Sequence, residues 1–428
     1  MRTAIPVNCS QVRSAGLIWR RVQRYCIIVL AFICGPAYAQ FTGNAVTCEP
    51  REGYVRPITT YCTLAEYDLS QPHFFQAAIE RIIAGEKIIA MRMSLYAFSD
   101  VSIANRMCKA LSPDTHELSI MVQRDTGSEG ALDHLEKCAR QRGVVRIAAF
   151  QGGMRVGGIN SFHPKLVYIE APTRQIALIG SGNLSTGRKH TDYVYAVDVV
   201  RNDQAANGAK RALVTWVGCV TGHVNDPSFD STRNAVMLVR AACDSFDPAE
   251  ASYLMPGDAR QWLARSGFLL GRSDEFRIVS QGFNSADVNY LIRLAIRSGK
   301  KVRILLDDDM YWSSLYPDRD LMNETYELNE YVLPLIRLGA QVRYVVTNHH
   351  DISRNFQHAK VYSFHAKNQG TAMVGSLNAT GSALSDNLEV MTEIEGAGFQ
   401  QYNAWFEDLW ARSIAHEEMP TADPLAKP

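Results

Sequence analysis

Two copies of one short polar pattern in this sequence have the residue types needed for phosphoryl chemistry. In each copy, 16 residues separate a lysine from a serine and 20 separate a histidine from an asparagine, so the copies align without a gap. A repeat that keeps only polar residues of one chemical kind predicts one site built from two halves. The residues are His163, Lys165, Ser181 and Asn183 in the first copy and His358, Lys360, Ser376 and Asn378 in the second.

These side chains suit the displacement of a group from phosphorus. The two lysines can neutralise the charge on non-bridging oxygens, and the asparagines and serines can donate hydrogen bonds to the same atoms. A histidine and a lysine two residues apart on a strand point the same way. Two histidines on opposite sides of one phosphorus would allow in-line displacement, one as nucleophile and the other as general acid. Nothing in this set requires a metal, and we expect no cofactor.

The elements around the motifs follow one order in both halves of the chain. Strands alternate with helices, and runs such as 302–306 (Val-Arg-Ile-Leu-Leu) are apolar at all but one position, which indicates buried α/β sheets. Each motif spans two strands, so that the Gly-Ser-x-Asn segment falls at a strand end where it can face a ligand. The predicted strands are 86–90, 118–122, 144–149, 165–169, 176–179, 276–279, 301–306, 341–346, 360–364 and 372–374, and the predicted helices are 101–110, 132–140, 286–298 and 329–338.

The N-terminus has the features of an export signal. Three arginines precede the apolar run 25–34, and Ala37-Tyr38-Ala39 forms a small-x-small cleavage site before Gln40. The run is short for a bilayer span, although an uncleaved anchor or a misplaced start codon is the alternative. We therefore expect a secreted or periplasmic protein with a cleaved signal peptide. The predicted segments are 1–39 (signal peptide), 40–204 (first half), 205–275 (connector), 276–415 (second half) and 416–428 (tail).

Export affects the interpretation of the charge and the cysteines. Cleavage would remove five of the 44 basic residues and none of the 44 acidic ones, leaving a mildly acidic protein. This argues against a surface that coats nucleic acid, though not against a local basic cleft. Six cysteines would remain, an even number that predicts disulfides in an oxidising compartment. Proximity favours Cys48–Cys62, Cys108–Cys138 and Cys219–Cys243, one of fifteen connectivities.

The doubled pattern is similar to the HxK…GSxN motifs of the phospholipase D superfamily, and the resemblance covers essentially the mature chain. It implies two tandem α/β halves packed face to face around one shared active site. It also implies a covalent phosphohistidine and metal-independent cleavage of phosphodiesters. The eight motif residues above match the family positions one by one, with the six histidines, lysines and asparagines as catalytic residues and Ser181 and Ser376 in support. Asn387-Leu388-Glu389 matches the family's NxE tail.

The sequence departs from the family pattern at two kinds of position. The aspartate expected five residues after each lysine is Glu170 in the first copy and His365 in the second. That aspartate is thought to support the fold, so we expect activity to be retained. In the first half, residues 192–194 (Asp-Tyr-Val) stand where the NxE would be. We therefore expect Glu389 to have no counterpart at position 194.

This difference suggests roles for the two histidines. A carboxylate bonded to a histidine stabilises the imidazolium, which suits a general acid. Because Glu389 lies in the half that contains His358, we assign His358 as general acid and His163 as nucleophile. The opposite assignment stays open, since Asp192 could reach His163.

Four other segments have two interpretations each. The acidic run 307–309 is predicted to be a solvated turn, with a metal site as the alternative. Segment 349–351 (His-His-Asp) is predicted to be an exposed loop or to line the cleft. Segment 188–190 (Arg-Lys-His) could be a solvated loop or grip a phosphate, and 311–312 (Tyr-Trp) could pack in the core or contact a lipid or base.

The predicted function is that of an exported phospholipase D, which releases phosphatidic acid from phospholipids at a membrane surface. The alternative is an exported, metal-independent endonuclease, and a third class is a binding protein that kept the motif without activity. The acidic mature charge favours lipid over nucleic acid. Both motifs lie in one chain, so a monomer is expected.

Overall fold

The computed structural model describes residues 46–48, 60–62, 79, 82–83, 87–124, 126–140, 145–150, 158–185, 191–200, 208–226, 228–229, 232–247, 251–316, 324–346, 357–367 and 369–421. The predicted signal peptide, 1–39, lies outside these residues. None of the helices in this part of the chain combines the length and the apolar character of a membrane-spanning segment.

The first half of the chain forms a six-stranded sheet, preceded by a short antiparallel pair of strands. The pair is β1 (Val46–Cys48) and β2 (Thr60–Cys62). In the sheet, three parallel strands are followed by three antiparallel ones, in the order β5-β4-β3-β7-β8-β9. These strands are β3 (Ala90–Leu95), β4 (Glu117–Gln123), β5 (Val145–Phe150), β7 (Lys165–Glu170), β8 (Arg174–Gly180) and β9 (Val194–Val200), and the short β6 is Ser161–Phe162.

Alternation along β7 directs side chains into two cores, one on each face of this sheet. Val167 and Ile169 pack with helices α1 (Val101–Ala110) and α2 (Glu129–Arg140). Leu166 and Tyr168 face the opposite side, where α3 (Gly208–Val224) packs. A further helix, α4 (Arg233–Cys243), runs beside α3 and is followed by the 3₁₀ turn Asp244–Phe246.

The second half repeats the same strand order in a larger sheet. Its central order β13-β12-β11-β14-β15-β16 matches that of the first sheet strand for strand, and β10, β17 and β6 extend it. The strands are β10 (Ser252–Met255), β11 (Glu275–Val279), β12 (Lys301–Asp307), β13 (Gln341–Val345), β14 (Val361–Ala366), β15 (Gln369–Gly375), β16 (Asn387–Ile394) and β17 (Ile414–Ala415). The helices are α5 (Ala259–Arg272), α6 (Ala286–Arg297), α7 (Asp309–Leu315), α8 (Glu324–Glu327), α9 (Leu333–Arg337), α10 (Gly381–Ser385) and α11 (Gly396–Arg412).

The two halves share one apolar core. Leu166 and Ile179 of the first sheet and Val361 and Val374 of the second belong to a single buried cluster. A separate cluster lies on the outer face of each sheet. The protein is therefore an α/β fold of two similar halves packed face to face, as the resemblance implied.

Most predicted elements lie within a few residues of the observed ones, and the helix at 101–110 has the predicted bounds. The helix predicted over 329–338 is instead α8, a π-helical segment Leu328–Val332, and α9. Pro334 lies at the start of α9 and has no N–H for the regular bonding pattern, which accounts for this break. Within the predicted connector, 205–275, α3 covers the first sheet and β10 pairs with β16 of the second.

Two of the three predicted disulfides are confirmed. Cys108–Cys138 joins α1 to α2, and Cys219–Cys243 joins α3 to α4. The third, Cys48–Cys62, involves side chains outside the described ones, although β1 and β2, which end at these two cysteines, pair with each other.

Candidate active site

Each motif histidine is held by the backbone of the opposite half. The His163 N–H donates to Leu388 O at 3.0 Å, and the His358 N–H donates to Thr191 O at 2.8 Å. On the His163 side, β6 pairs in parallel with the start of β16, which sets this register. These two bonds fix the acceptor residues across the interface. The residues that follow the acceptors in the chain are Glu389 and Asp192.

The carboxylates of Glu389 and Asp192 pair with the motif histidines across the two halves. His163 Nδ1 lies 2.7 Å from Glu389 Oε2, and His358 Nδ1 lies 2.8 Å from Asp192 Oδ1. The expectation that Glu389 partners His358 is therefore wrong, because β6 brings His163, not His358, beside β16. Position 194 carries no carboxylate, as expected, but Asp192, two residues earlier, takes the place of Glu389 for the other histidine.

The motif serines hold these carboxylates in place. Ser376 Oγ donates to Glu389 Oε2 at 2.5 Å, and Ser181 Oγ donates to Asp192 Oδ1 at 2.8 Å. Each serine oxygen also accepts a backbone N–H at 3.0 Å from the residue that follows its carboxylate. Both serines are fully buried. Their hydroxyl groups position the carboxylates that pair with the histidines. The role suggested by the sequence was donation to phosphate oxygens.

The two motif lysines are buried and close enough to repel each other. Lys165 Nζ donates to His163 O at 2.9 Å, and Lys360 Nζ donates to His358 O. Burial lowers the pKa of Lys165 to about 7, although the negative charges of Glu389 and Asp192 oppose this. Burial and the charge of Lys165 lower the pKa of Lys360 well below its usual value. Such a pair would bind a phosphate anion strongly, because the negative charge offsets both the cost of burying the ammonium groups and the repulsion between them.

His163 is a neutral imidazole at neutral pH. Burial lowers its pKa to about 4, against the opposing charge of Glu389. With the Nδ1 proton donated to Glu389, the Nε2 lone pair faces away from this partner. The ring of Tyr96 packs edge-on against that of His163, with centroids 5.1 Å apart, and Lys165 Nζ lies 5.2 Å from the Tyr96 centroid. Tyr96 was not singled out from the sequence, because the strand that it follows was predicted to end at residue 90 and ends at Leu95.

The motif asparagines follow the ends of β8 and β15. Asn183 Oδ1 is buried and has no hydrogen-bond partner in the described part of the chain. Asn378 Oδ1 accepts the Gly282 N–H at 3.5 Å. A weak bond on one side and an unsatisfied oxygen on the other are compatible with amides that await a ligand.

A second pair of polar side chains fixes the chain just before each histidine. Gln123 Oε1, at the end of β4, accepts the Phe162 N–H at 2.7 Å. Asp307 Oδ2, at the end of β12, accepts the Gln357 N–H. Because β4 and β12 occupy the same position in the two sheets, these side chains are structural counterparts. Neither was assigned this role from the sequence.

The acidic run 307–309 is not a solvated turn. All three aspartates are at most 3% exposed, and their carboxylates approach one another within 4.8 Å. Asp307 Oδ1 accepts the Asp309 N–H at 2.9 Å, and Asp308 Oδ2 accepts the Trp312 Nε1–H at 3.2 Å. These carboxylates thus organise the end of β12 and the start of α7. Trp312 packs in the core of the second half.

Among the described residues, one other group brings three possible metal ligands together, namely Cys219, His223 and Cys243. Both cysteines are in a disulfide and cannot act as thiolate ligands.

The two residues that replace the family aspartate lie at the strand ends away from the motif histidines. Glu170 ends β7 and accepts the Tyr168 hydroxyl at 3.2 Å. His365 packs against Phe399, and burial followed by the charge of Arg277 lowers its pKa to about 3. Both therefore have places in the fold outside the site. The segments 188–190 and 349–351 lie outside the described residues.

Known proteins resemble this chain in sequence over its second half and in structure over most of its length. The family model for "cardiolipin synthase, PLD-like domain" matches residues 269–410. Phosphatidylserine synthase from Haemophilus influenzae Rd KW20 is similar in structure, with a TM-score of 0.56 and 12% identity over 83% of this chain and 88% of that one. No protein with a curated description matches the sequence significantly.

Two further solved structures are similar over only part of one of the two chains compared. Polyphosphate kinase from Porphyromonas gingivalis has a TM-score of 0.47 and 14% identity over 80% of this chain. This chain spans about half (47%) of the length of that protein. The phospholipase D family member Nuc from Salmonella typhimurium has a TM-score of 0.29 and 20% identity, over 39% of this chain and 95% of its own. The second half thus matches a PLD-like domain model, and the first half repeats its motif and strand order.

Proposed function

We propose that the protein is an exported phospholipase D-type phosphodiesterase that hydrolyses phospholipid head groups through a phosphohistidine on His163. The observation that carries this proposal is the crossed pairing of the two histidines with Glu389 and Asp192 around two buried lysines. The charges of this cluster act on one another, since Lys360 is influenced by Lys165 and by both carboxylates. One phosphodiester could therefore contact both halves.

In the first step, His163 Nε2 attacks phosphorus. The Nε2–P bond forms and the bond to the head-group oxygen breaks, while His358 gives that oxygen its proton. Glu389 keeps the Nδ1 proton on His163 and stabilises the positive charge that the ring gains. In the second step, His358 takes a proton from water as the water oxygen attacks, and the P–N bond breaks to release phosphatidic acid.

His163 is assigned as nucleophile and His358 as general acid, as expected from the sequence, but Glu389 is no longer the reason. The nucleophile must be neutral, and the low pKa of His163, about 4, provides this across the neutral range. His358 is bonded to Asp192, and a carboxylate partner stabilises the imidazolium that an acid must become. Lys165 and Lys360 neutralise the oxygens that gain charge in the transition state.

An apolar helix face beside the site supports a membrane substrate. On α4, Leu238 is 72% exposed and Met237 48% exposed, and Asn234, Ala241 and Ala242 share their side of the helix. The one charged residue within 234–242, Arg240, is buried in ion pairs. Arg233, the first residue of α4, is exposed and pairs with Asp386, so this face has one charge at its start and none from 234 to 242. A largely uncharged outward face is suited to the interface of a lipid bilayer.

The start of α4 is also close to the strands that carry the site. Thr232 bridges to Gly158, which precedes β6 and His163. Arg233 donates to Ser385 O at 2.6 Å, just before the start of β16 and Glu389. A bilayer that contacts Met237 and Leu238 would thus lie near the strands that carry His163 and Glu389.

The test is to incubate mature protein, residues 40–428, with vesicles of mixed phospholipids and, separately, with plasmid DNA. We expect release of the free head group and phosphatidic acid from vesicles, and loss of this activity in His163→Ala and His358→Ala. Cleavage of DNA by wild type but not by these variants, without lipid hydrolysis, would contradict the lipid assignment. N-terminal sequencing of exported protein should begin at Gln40, and a start at Met1 would contradict the cleavage.

A further inference from the structure

Tyr96 contacts both the histidine and the lysine of the first motif. Its ring packs edge-on against that of His163, with centroids 5.1 Å apart, and Lys165 Nζ lies over the same ring, 5.2 Å from its centroid. Lys165 Nζ also donates to His163 O at 2.9 Å. Each of the three residues therefore contacts the other two. An edge-on ring pair at this distance and an ammonium group over a ring face are both attractive.

The backbone holds Tyr96 next to the motif. Tyr96 directly follows β3, whose last residue lies opposite Lys165 in the antiparallel pair β3–β7. The Gln123 N–H donates to Tyr96 O at 3.2 Å, and Gln123 Oε1 accepts the Phe162 N–H just before His163. The tyrosine is thus attached to the same strand ends that carry the histidine and the lysine.

The corresponding residue of the second half is Gln281. In each half, a phenylalanine bridges to the residue just after the motif asparagine, Phe98 in the first half and Phe283 in the second. Tyr96 and Gln281 each lie two residues before that phenylalanine. Because glutamine has no aromatic face, this position carries a ring only in the half that holds the proposed nucleophile.

The contacts of Tyr96 restrict the two groups whose relative position matters most for attack on phosphorus. The bond from His163 Nδ1 to Glu389 fixes one corner of the imidazole, and the Tyr96 ring limits the tilt about that bond. A nucleophile held in line with phosphorus needs both restraints. The ring face attracts the Lys165 ammonium without neutralising it, so the charge stays available for a phosphate oxygen.

We propose that Tyr96 is a positioning residue for the first half-site, which sets the tilt of the His163 ring and holds the Lys165 ammonium beside it. In the second half, where His358 transfers a proton instead of attacking phosphorus, Gln281 stands at this position. The proposal rests on the proposed function for the step that Tyr96 serves, but the contacts themselves can be measured without substrate.

The contacts are tested by NMR on protein that carries lysine labelled with ¹³C at Cε, with the Lys165 signal assigned by its loss in Lys165→Arg. Protons near the face of an aromatic ring are shielded, so the Lys165 signal should lie upfield and should move downfield in Tyr96→Leu. Tyr96→Phe keeps the ring and should keep the upfield position. A Lys165 signal at the same position in wild type and Tyr96→Leu would overturn the proposal, whatever reaction the protein catalyses.

The effect on attack is tested with bis(p-nitrophenyl) phosphate in a His358→Ala background. The His163 Nε2–P bond forms as the P–O bond to p-nitrophenolate breaks, and this leaving group departs without protonation. Tyr96→Leu should lower the burst rate at saturating substrate about tenfold, within the range for one desolvated cation–π contact, and Tyr96→Phe should stay within about twofold of Tyr96. Tyr96→Gln, which introduces the residue of the second half, should behave like Tyr96→Leu. Because this probe is not a lipid, a failure to hydrolyse vesicles would not remove the burst, and the two results can be told apart.

Tyr168→Leu is the matched control for a loss of stability. Tyr168 lies on β7 and also has a cation over its ring, since the Arg92 guanidinium is 5.5 Å from the centroid. Tyr168 is buried and Tyr96 is only partly so, and Tyr168→Leu should therefore lower Tm at least as much as Tyr96→Leu. The burst rate should nevertheless change by less than about twofold in Tyr168→Leu, because its ring pairs with Arg92 and not with the motif lysine. Equal slowing by Tyr168→Leu and Tyr96→Leu, or by Tyr96→Phe and Tyr96→Leu, would overturn the proposal.

Discussion

His163 and Glu389 form a 2.7 Å hydrogen bond although 226 residues separate them in the chain. The Glu389 side chain is fully buried, and that of His163 is 13% exposed. The bond His358–Asp192 repeats this arrangement in the opposite direction. Each half thus supplies a histidine and the carboxylate for the other half's histidine, so neither half holds a complete site.

Crossed pairing predicts which histidine each carboxylate serves. The background is His358→Ala with a phosphatidyl p-nitrophenol substrate, whose leaving group departs without protonation. In this background, Glu389→Gln should slow the p-nitrophenolate burst, by about a hundredfold at most for a few kcal/mol of lost stabilisation. Asp192→Asn should slow the burst much less, because its partner histidine is already absent and only its effect on the two lysines is lost. A burst slowed by Asp192→Asn and not by Glu389→Gln would reverse the pairing.

The pKa values predict an optimum between about pH 4 and about pH 7. As pH rises through about 4, His163 loses its proton and becomes able to attack, so kcat/KM should rise. As pH rises through about 7, Lys165 loses the charge that binds the phosphodiester, so kcat/KM should fall. Bound phosphate raises the lysine pKa, and the alkaline limb of kcat should lie at higher pH than that of kcat/KM. A kcat/KM that still increases between pH 7 and 9 would contradict this assignment.

Metal independence follows from the chemistry of the site. The lysines can neutralise charge and the histidines can transfer protons, so turnover should survive excess EDTA. The comparison should include Asp309→Asn, which removes one carboxylate of the buried acidic run. Activity lost in EDTA and restored only by a divalent ion, with a parallel loss in Asp309→Asn, would assign part of the chemistry to that run.

The disulfides should stabilise the helical layers. Each native bridge contributes about 2–5 kcal/mol to the free energy of unfolding in a typical secreted domain. Cys108→Ser with Cys138→Ser should therefore lower Tm, and reduction of wild type should lower it further because Cys219–Cys243 is also lost. Thiol titration of exported protein should find no free cysteine among these four. Peptide mapping under non-reducing conditions tests the predicted Cys48–Cys62 bridge.

The motif residues were predictable because the spacing between them is the same in both copies. The α/β class was predictable because strands alternate with helices in the sequence pattern. The carboxylate partners were not, because Ser181 to Asp192 is 11 residues whereas Ser376 to Glu389 is 13. The short helix α10 lies within the longer segment. An alignment at fixed spacing therefore pointed to Val194, where no carboxylate is present.

Contacts across the interface explain the remaining differences. Pairing of β6 with β16 and of Thr191 with Gln357 decides which histidine meets which carboxylate, and neither pair has a local sequence signal. Gln123 and Asp307 lie at strand ends that were predicted, yet each accepts an N–H from a segment that returns 39 or 50 residues later in the chain. Burial of the acidic run 307–309 likewise comes from packing around α7, which the sequence analysis did not predict.

The most direct test of the account is to locate the covalent intermediate by mass spectrometry under conditions that preserve acid-labile phosphorylation. In His358→Ala, reaction with phosphatidyl p-nitrophenol should leave a phosphatidyl group on His163, because breakdown of the intermediate needs His358 as base. In His163→Ala, no adduct should form. An adduct on His358 in the His163→Ala protein, or no adduct on His163 in the His358→Ala protein while p-nitrophenolate is released, would contradict the assignment of His163 as nucleophile.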